Sequence, residues 1–455
     1  MDLSPIFFLI LQAERRYSLG KVLLRHHIIQ HFKTYYNMKK IAMFAVAAMV
    51  SVAAYADNND NTTVAAESAV ETVAVPDESM TPGTDYVEPS GFFTSMLNSS
   101  VAETMHQEHH GKPVFGRKVT DWASAPKFGG YAIGFYKYSD EAGKHGGDGF
   151  NARLIRVYVD GSIFKDFKYR VQLEVQGSKP HCKDFYLAWK HWDELEVKVG
   201  QFKRPFTFEN PYNPWDVGVG DYSQVVKKLA GMGDYNGEAS MGGRDLGLQL
   251  QGDVLKVGDG KQRHALFHYQ IGVFNGQGIN SADANGHKDI IGTLQVQPVK
   301  DLYIGFFGWT GNAVLDGITV NRNRYGLGAK YEHDGWSARA EYVHSVGYKA
   351  SDFVKDAVLG QVLKENHSNG RADAWYATVG VPVNDWFKIY AKYDVYRDGA
   401  NWSNVNTIYS IAPNFQIHKN LMFQLQYNYV HKHIGGAAAL SDSHNEIWAM
   451  TYFRF

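Results

Sequence analysis

Five cations, Lys203, Arg204, Lys227, Lys228 and Arg244, flank or lie in one long irregular segment, about 205–243, together with the acids Glu209, Asp216, Asp221, Asp234 and Glu238. Charges of both signs on one loop do not make or break bonds. They attract, repel and sort charged solutes. Arg170, Arg322, Arg324, Lys330, Arg339, Lys388 and Lys392 fall on the polar side of alternating segments and face whatever solvent that side meets. Arg153 and Arg156 have opposite parity, so strand register admits only one of them to the polar face, and Arg156 is the candidate taken here. Covalent chemistry has no comparable support. The spacings G-x-S-x-G and H-E-x-x-H do not occur, and a lone strand histidine such as His344 reads as packed or solvated, so no enzyme is expected. His106, His109 and His110 lie in an acidic irregular stretch that fixes no ligand geometry, so no metal or cofactor is expected either.

The elements that carry these charges alternate with a period of two. From Phe128 onward about sixteen candidate strands begin, near Phe128, Ala152, Phe167, Asp184, Glu194, Asp245, Ala265, Asp289, Leu302, Asn323, Trp336, Ala372, Trp386, Asn404, Leu421 and Asn445. Phe423, Leu425, Tyr427 and Tyr429 oppose Gln424, Gln426 and Asn428, and Phe387, Ile389, Ala391 and Tyr393 oppose Lys388, Tyr390, Lys392 and Asp394. One face suits lipid and the other suits water. Tight links such as Val383-Asn384 and His418-Lys419-Asn420 alternate with long ones at 140–149, 205–243, 275–288, 347–370 and 433–443. That asymmetry predicts an all-β transmembrane antiparallel barrel over 121–455, with short periplasmic turns and long extracellular loops. Inward side chains cannot fill a barrel of sixteen strands, so a water-filled lumen is expected, narrowed by the segment 205–243 folding inward.

No apolar run reaches the length of about 18 residues that a membrane helix needs. Met38-Lys39-Lys40, the apolar run Ile41 to Val52 and Ala54-Tyr55-Ala56 have the order of a signal peptide over 38–56, so residues 1–37 read as a mis-called upstream segment and 57–120 as a flexible periplasmic lead. Without residues 1–56 the chain keeps 46 less 7, or 39, basic residues and 47 less 2, or 45, acidic ones, for a net charge of −6. That balance excludes a basic nucleic-acid binder. The single cysteine, Cys182, permits no internal disulfide.

Three motifs then become specific. Ala152 to Gly161 with Phe164 to Tyr169, Gly200-Gln201-Phe202-Lys203-Arg204-Pro205-Phe206, and Gly243-Arg244-Asp245-Leu246-Gly247 resemble, in order, the early strands and loop boundaries of the phosphate-selective porin O and P family. The resemblance spans roughly 128–455 and implies a sixteen-stranded outer-membrane channel, usually a homotrimer, passing small hydrophilic solutes or anions. It also implies that Phe453 and Phe455, in contact with outer-membrane lipid, mark the last strand for the outer-membrane assembly machinery. Specialised phosphate channels carry a ladder of arginines. The mixed charges here point to a general or weakly anion-preferring porin. The alternative is a binding or adhesion barrel that uses its long loops, with Tyr348, Phe353 and Trp402 as contacts.

Overall fold

The computed structural model describes residues 123–141, 148–164, 166–177, 179–239, 242–315, 317–355, 362–364, 370–435 and 440–455. The expected signal peptide 38–56, the upstream segment 1–37, the lead 57–120 and its three histidines lie outside the described residues.

Among the described residues twenty strands follow one another: β1 Lys127–Ser139, β2 Gly149–Ile163, β3 Phe167–Glu174, β4 His181–Trp192, β5 Leu195–Lys203, β6 Arg244–Val257, β7 His264–Phe274, β8 Asp289–Val299, β9 Leu302–Thr310, β10 Asn312–Leu315, β11 Ile318–Asn321, β12 Asn323–His333, β13 Trp336–Val346, β14 Phe353–Lys355, β15 Val362–Lys364, β16 Arg371–Asn384, β17 Phe387–Asp398, β18 Asn404–His418, β19 Leu421–Ile434 and β20 Leu440–Arg454. Sixteen of them, β1–β9, β12, β13 and β16–β20, form one closed antiparallel barrel. These are the sixteen strands expected from the alternation. The hairpins β10–β11 and β14–β15 stand apart from the barrel sheet and were not anticipated.

Closure falls between β20 and β1, where Tyr131 pairs with Arg454 and Ser139 with Glu446. The terminal Phe455 adds a reciprocal pair, its N–H donating to the Gly130 carbonyl at 3.0 Å and its carbonyl accepting from the Gly130 N–H at 2.9 Å. A closed ladder leaves no strand edge, so every strand backbone finds its partner within the sheet.

Burial divides along each strand as the pattern requires. Phe423, Leu425, Tyr427 and Tyr429 are exposed on the outer wall, while Gln424, Gln426 and Asn428 are buried inside. Exposed Phe164, Trp192, Trp336 and Trp386 sit at or beside the short links, where an aromatic girdle meets the membrane boundary.

Two findings correct the expected lumen. First, Ile133 pairs with Leu154 whereas Gly134 pairs with Ala152, so Arg153 is the extra residue of a β-bulge. The bulge resets parity, and both Arg153 and Arg156 turn inward, contrary to the reading that admitted only one. A second shift, between Gln172 and Leu173, leaves Lys183 unpaired and lets it reach Glu174 at 3.0 Å. Second, the inner wall is not polar throughout. Phe307, Trp309, Val343, Ala372, Ala374 and Ala412 face inward and are buried, because the segment after β5 packs on them.

Candidate functional site

Residues 205–243 enter the barrel from the end of β5 and return to the start of β6, and about two thirds of them are buried, with Lys227, Lys228 and Gly237 exposed. Val217, Val219, Val225, Val226 and Leu229 form the apolar underside against β9, β13, β16 and β18, with Val225–Leu229 as one π-helical turn. Burying each such side chain stabilises the segment by about 1.5–3 kcal/mol, more than solvated loop residues could contribute.

Polar ties fix the rest. Glu341 accepts the backbone N–H groups of Phe208 at 2.6 Å and Glu209 at 3.1 Å. Arg339 donates to the Glu209 carboxylate at 3.0 Å. Both Asp394 oxygens accept the Gln224 N–H at 3.0 Å, and the Gly218 carbonyl accepts from Asn414 and Gln424 at 2.9 Å each. Arg153 crosses to the Gly220 carbonyl and to Asp221 at 2.7 Å. Such bonds hold the segment across the lumen at several points around the wall.

Between Asn213 of this segment and the wall made by β1–β6 lies a narrow cleft with about 20 Å³ of clear space, room for a single water. Arg156, Arg170, Lys198, Lys203 and Arg244 line it, with Asp184 and Gln172. Three arginines are answered by acids. Arg156 donates to Glu174 at 2.8 Å, Arg170 to both Asp160 oxygens at 2.7 and 2.8 Å, and Arg244 to both Asp184 oxygens at 2.9 Å. The two lysines are not answered in this way. Lys203 donates to the Tyr212 and Pro211 carbonyls and to the Tyr222 hydroxyl at 3.2 Å. Lys198 is fully buried, 4.0 Å from Glu196 and over the Tyr186 ring at 4.8 Å, and its ammonium makes no hydrogen bond. Neither ammonium has a hydrogen-bonded carboxylate partner.

The other cations from the sequence lie elsewhere, and acids or rings hold most of them. Arg322 stands between β11 and β12 and meets Asp234, Glu238 and Asp289 at 3.4, 2.9 and 3.1 Å. Arg324 bonds Asp234 and the Leu229 carbonyl, each at 2.9 Å. Arg204 bonds Asp245 at 3.1 Å and lies over Trp309. Lys330 lies over Tyr303 at 4.5 Å, Lys388 donates to Ser337 at 3.0 Å, and Lys392 meets Asp394 at 3.4 Å. Lys227 pairs with Asp221 at 2.6 Å, and Lys228 lies over Tyr396. Asp216 is buried, with its N–H on the Asn213 carbonyl at 2.8 Å.

The loop acids are tuned by these neighbours. Burial raises the Asp221 carboxyl, but Lys227 and Arg153 outweigh it and hold the group well below the usual carboxylate range. The same contest at Asp234, won by Arg322 and Arg324, leaves it at about 2. Asp221 holds Lys227 above the usual lysine value, whereas burial and Lys227 itself lower Lys228.

Sequence reasoning missed Lys198, although its parity on β5 matches the buried Glu196 and Phe202. It also missed Lys183, whose inward turn depends on a bulge. Of the contacts suggested for adhesion, Trp402 packs on Trp375 and Arg397, and Tyr348 packs against the β10–β11 hairpin. Phe453 and Phe455 are exposed on the outer wall.

Residues 128–289 match the family model of phosphate-selective porin O and P. No curated protein sequence matches the chain. Among solved structures, an anion-selective porin from Comamonas acidovorans superposes with a TM-score of 0.53 at 13% identity, covering 73% of this chain and all of that one. The trimer form of OmpT from Vibrio cholerae gives 0.47 at 12% identity, covering 74% and 100%. The outer-membrane channel DcaP of Acinetobacter baumannii gives 0.47 at 12%, covering 74% and 99%. At such identities the likeness is one of fold.

Proposed function

Because residues 128–289 match the family model of phosphate-selective porin O and P, we propose that the outer-membrane barrel passes small hydrophilic solutes with a preference for anions, along the cleft between 205–243 and the β1–β6 wall. One observation carries the preference: five cations surround the cleft, and Lys198 and Lys203 bring charge that no hydrogen-bonded carboxylate cancels. Low-dielectric walls focus such a charge on a passing ion. The fold relative from Comamonas acidovorans is described as anion-selective, which agrees with this direction.

Phosphate specificity is not part of the reading. Arg156, Arg170 and Arg244 are each held by a carboxylate, so they present less net charge than a free ladder of arginines would. We also read the working protein as a homotrimer, on family grounds, with 38–56 as its signal peptide, 57–120 as a periplasmic lead, 205–243 as the constriction, and Phe453 and Phe455 as the assembly signal.

Bilayer recording tests the reading. Reconstituted protein should give stepwise current, with a reversal potential in a potassium chloride gradient displaced towards chloride. Insertion without current, or displacement towards potassium, overturns it.

A further inference from the structure

At the long-loop end of the seam between β20 and β1, Glu141, Asp442 and His444 converge from the two ends of the barrel sheet. His444 is only 2% exposed. Its Nε2 lies 3.7 Å from Glu141 Oε2 and 3.8 Å from Glu446 Oε1, and its Nδ1 lies 3.7 Å from Asp442 Oδ2. These gaps exceed hydrogen-bond length, and the buried Nδ1 has no hydrogen-bond partner. One donor atom from each of Glu141, Asp442 and His444 lies within 4.8 Å of the other two.

Two lysines also border the group. Lys432 meets Glu141 at 2.6 Å and Lys137 meets Glu446 at 2.7 Å. The neighbouring backbone holds the donors in place, because Asp140 accepts the Asn445 side-chain N–H at 2.8 Å and its own N–H donates to the Asn445 carbonyl at 3.2 Å.

We propose that Glu141, Asp442 and His444 bind a divalent transition-metal ion of the zinc type, which bridges the first and last strands at the mouth of the barrel. An imidazole nitrogen with carboxylate oxygens suits zinc and its neighbours, whereas calcium and magnesium take all-oxygen shells. Ligand bonds of about 2.0–2.2 Å set donor atoms roughly 3.3 Å apart around a tetrahedral ion; only one imidazole nitrogen can bind it, so the carboxylate 3.7 Å from that nitrogen closes by a few tenths of an ångström and the other, within 4.8 Å, by up to about 1.5 Å. Glu446 stands close enough to supply a fourth donor.

Calorimetric titration of the full chain in detergent with zinc chloride tests this, with calcium chloride as the comparison. Zinc should bind with one equivalent that depends on His444. That equivalent should weaken on the order of tenfold or more in His444→Gln and in Asp442→Asn, and survive replacement of His106, His109 and His110 by alanine. Thermal unfolding should shift upward with zinc in the parent protein and not in His444→Gln. The copper-loaded protein should show one nitrogen ligand by electron paramagnetic resonance, lost in the same variant. Retention of heat-modifiable gel migration establishes that each variant is folded. Absence of zinc binding, equal binding of calcium, or a titration unchanged by His444→Gln overturns the site, as does loss of the equivalent only on removing the three upstream histidines.

Discussion

Arg153 and Arg156 both reach the barrel interior, although three positions along a regular strand put side chains on opposite faces. The bulge at Arg153 makes this possible: Arg156 bonds Glu174 on the wall at 2.8 Å, while Arg153 bonds Asp221 of the inserted segment at 2.7 Å. Two neighbouring arginines therefore do different work, one lining the cleft and the other holding the inserted segment.

Removing the second tie should loosen the inserted segment, which is the constriction of the proposed channel. Asp221→Asn deletes the carboxylate shared by Arg153 and Lys227. The expected result is larger and noisier single-channel conductance with the barrel still folded, checked by bilayer recording and heat-modifiable migration. Unchanged conductance and noise would show that the other anchors suffice.

Ion selectivity should separate cations that the sequence alone treats as equals. Lys198→Glu and Lys203→Glu place a negative charge in the cleft, where no hydrogen-bonded acid balances the lysine, and should move the reversal potential towards potassium. Arg322→Glu and Arg324→Glu strike groups already bonded to Asp234, so they should lower the unfolding temperature with little displacement of the potential. Equal shifts for all four variants would contradict this division.

Acid should release the segment in a defined window. The Asp234 carboxyl sits at about 2 in the folded chain, because Arg322 and Arg324 outweigh its burial, against about 3.9 when unfolded. Its folded value is the lower one, so its stabilisation is complete above about pH 4 and is lost as pH falls through about 2. Protease cleavage within 205–243 should stay constant from pH 7 to 4.5 and rise only below that, and Asp234→Asn should raise cleavage at every pH.

The strands and their faces were legible in the sequence because a membrane barrel forces a strict period of two, as in Gln424, Gln426 and Asn428 against Phe423, Leu425 and Tyr427. Departures from that period were not. A bulge such as that at Arg153 adds one residue with no compositional mark, and it reverses the parity argument for every position beyond it. Phe307, Trp309, Ala372 and Ala374 contradict a watery lumen when read as strand residues, and make sense only once residues 206–230 rest on them. The loop charges could be enumerated from the sequence, but the partners of Asp234 and Glu209 come from β12 and β13, more than eighty residues away.

Anchoring by Glu341 should be worth more than a surface contact. Its carboxylate accepts two backbone N–H groups, from Phe208 and Glu209, and the Tyr376 hydroxyl, all of them buried. Glu341→Ala leaves these donors without a partner, at a cost of about 1–3 kcal/mol for each group that water cannot reach. The unfolding temperature should fall, and new protease cleavage should appear near Phe208. An unchanged temperature would mean that the segment has settled onto other acceptors.

Closure of the barrel depends on the absence of a side chain at Gly130. A β-carbon there would lie 2.5 Å from the Phe455 ring and 2.8 Å from the Arg156 carbonyl, so the terminal aromatic can reach its place only over glycine. The ring can swing aside but the carbonyl belongs to the β1–β2 ladder and cannot. Gly130→Val should therefore reduce the folded fraction more than Phe455→Ala, which removes the ring and leaves the reciprocal backbone pair between Gly130 and Phe455 intact. The fraction of protein showing heat-modifiable migration after refolding measures both. A larger loss for Phe455→Ala would place the weight of closure on the aromatic ring rather than on the backbone pairing.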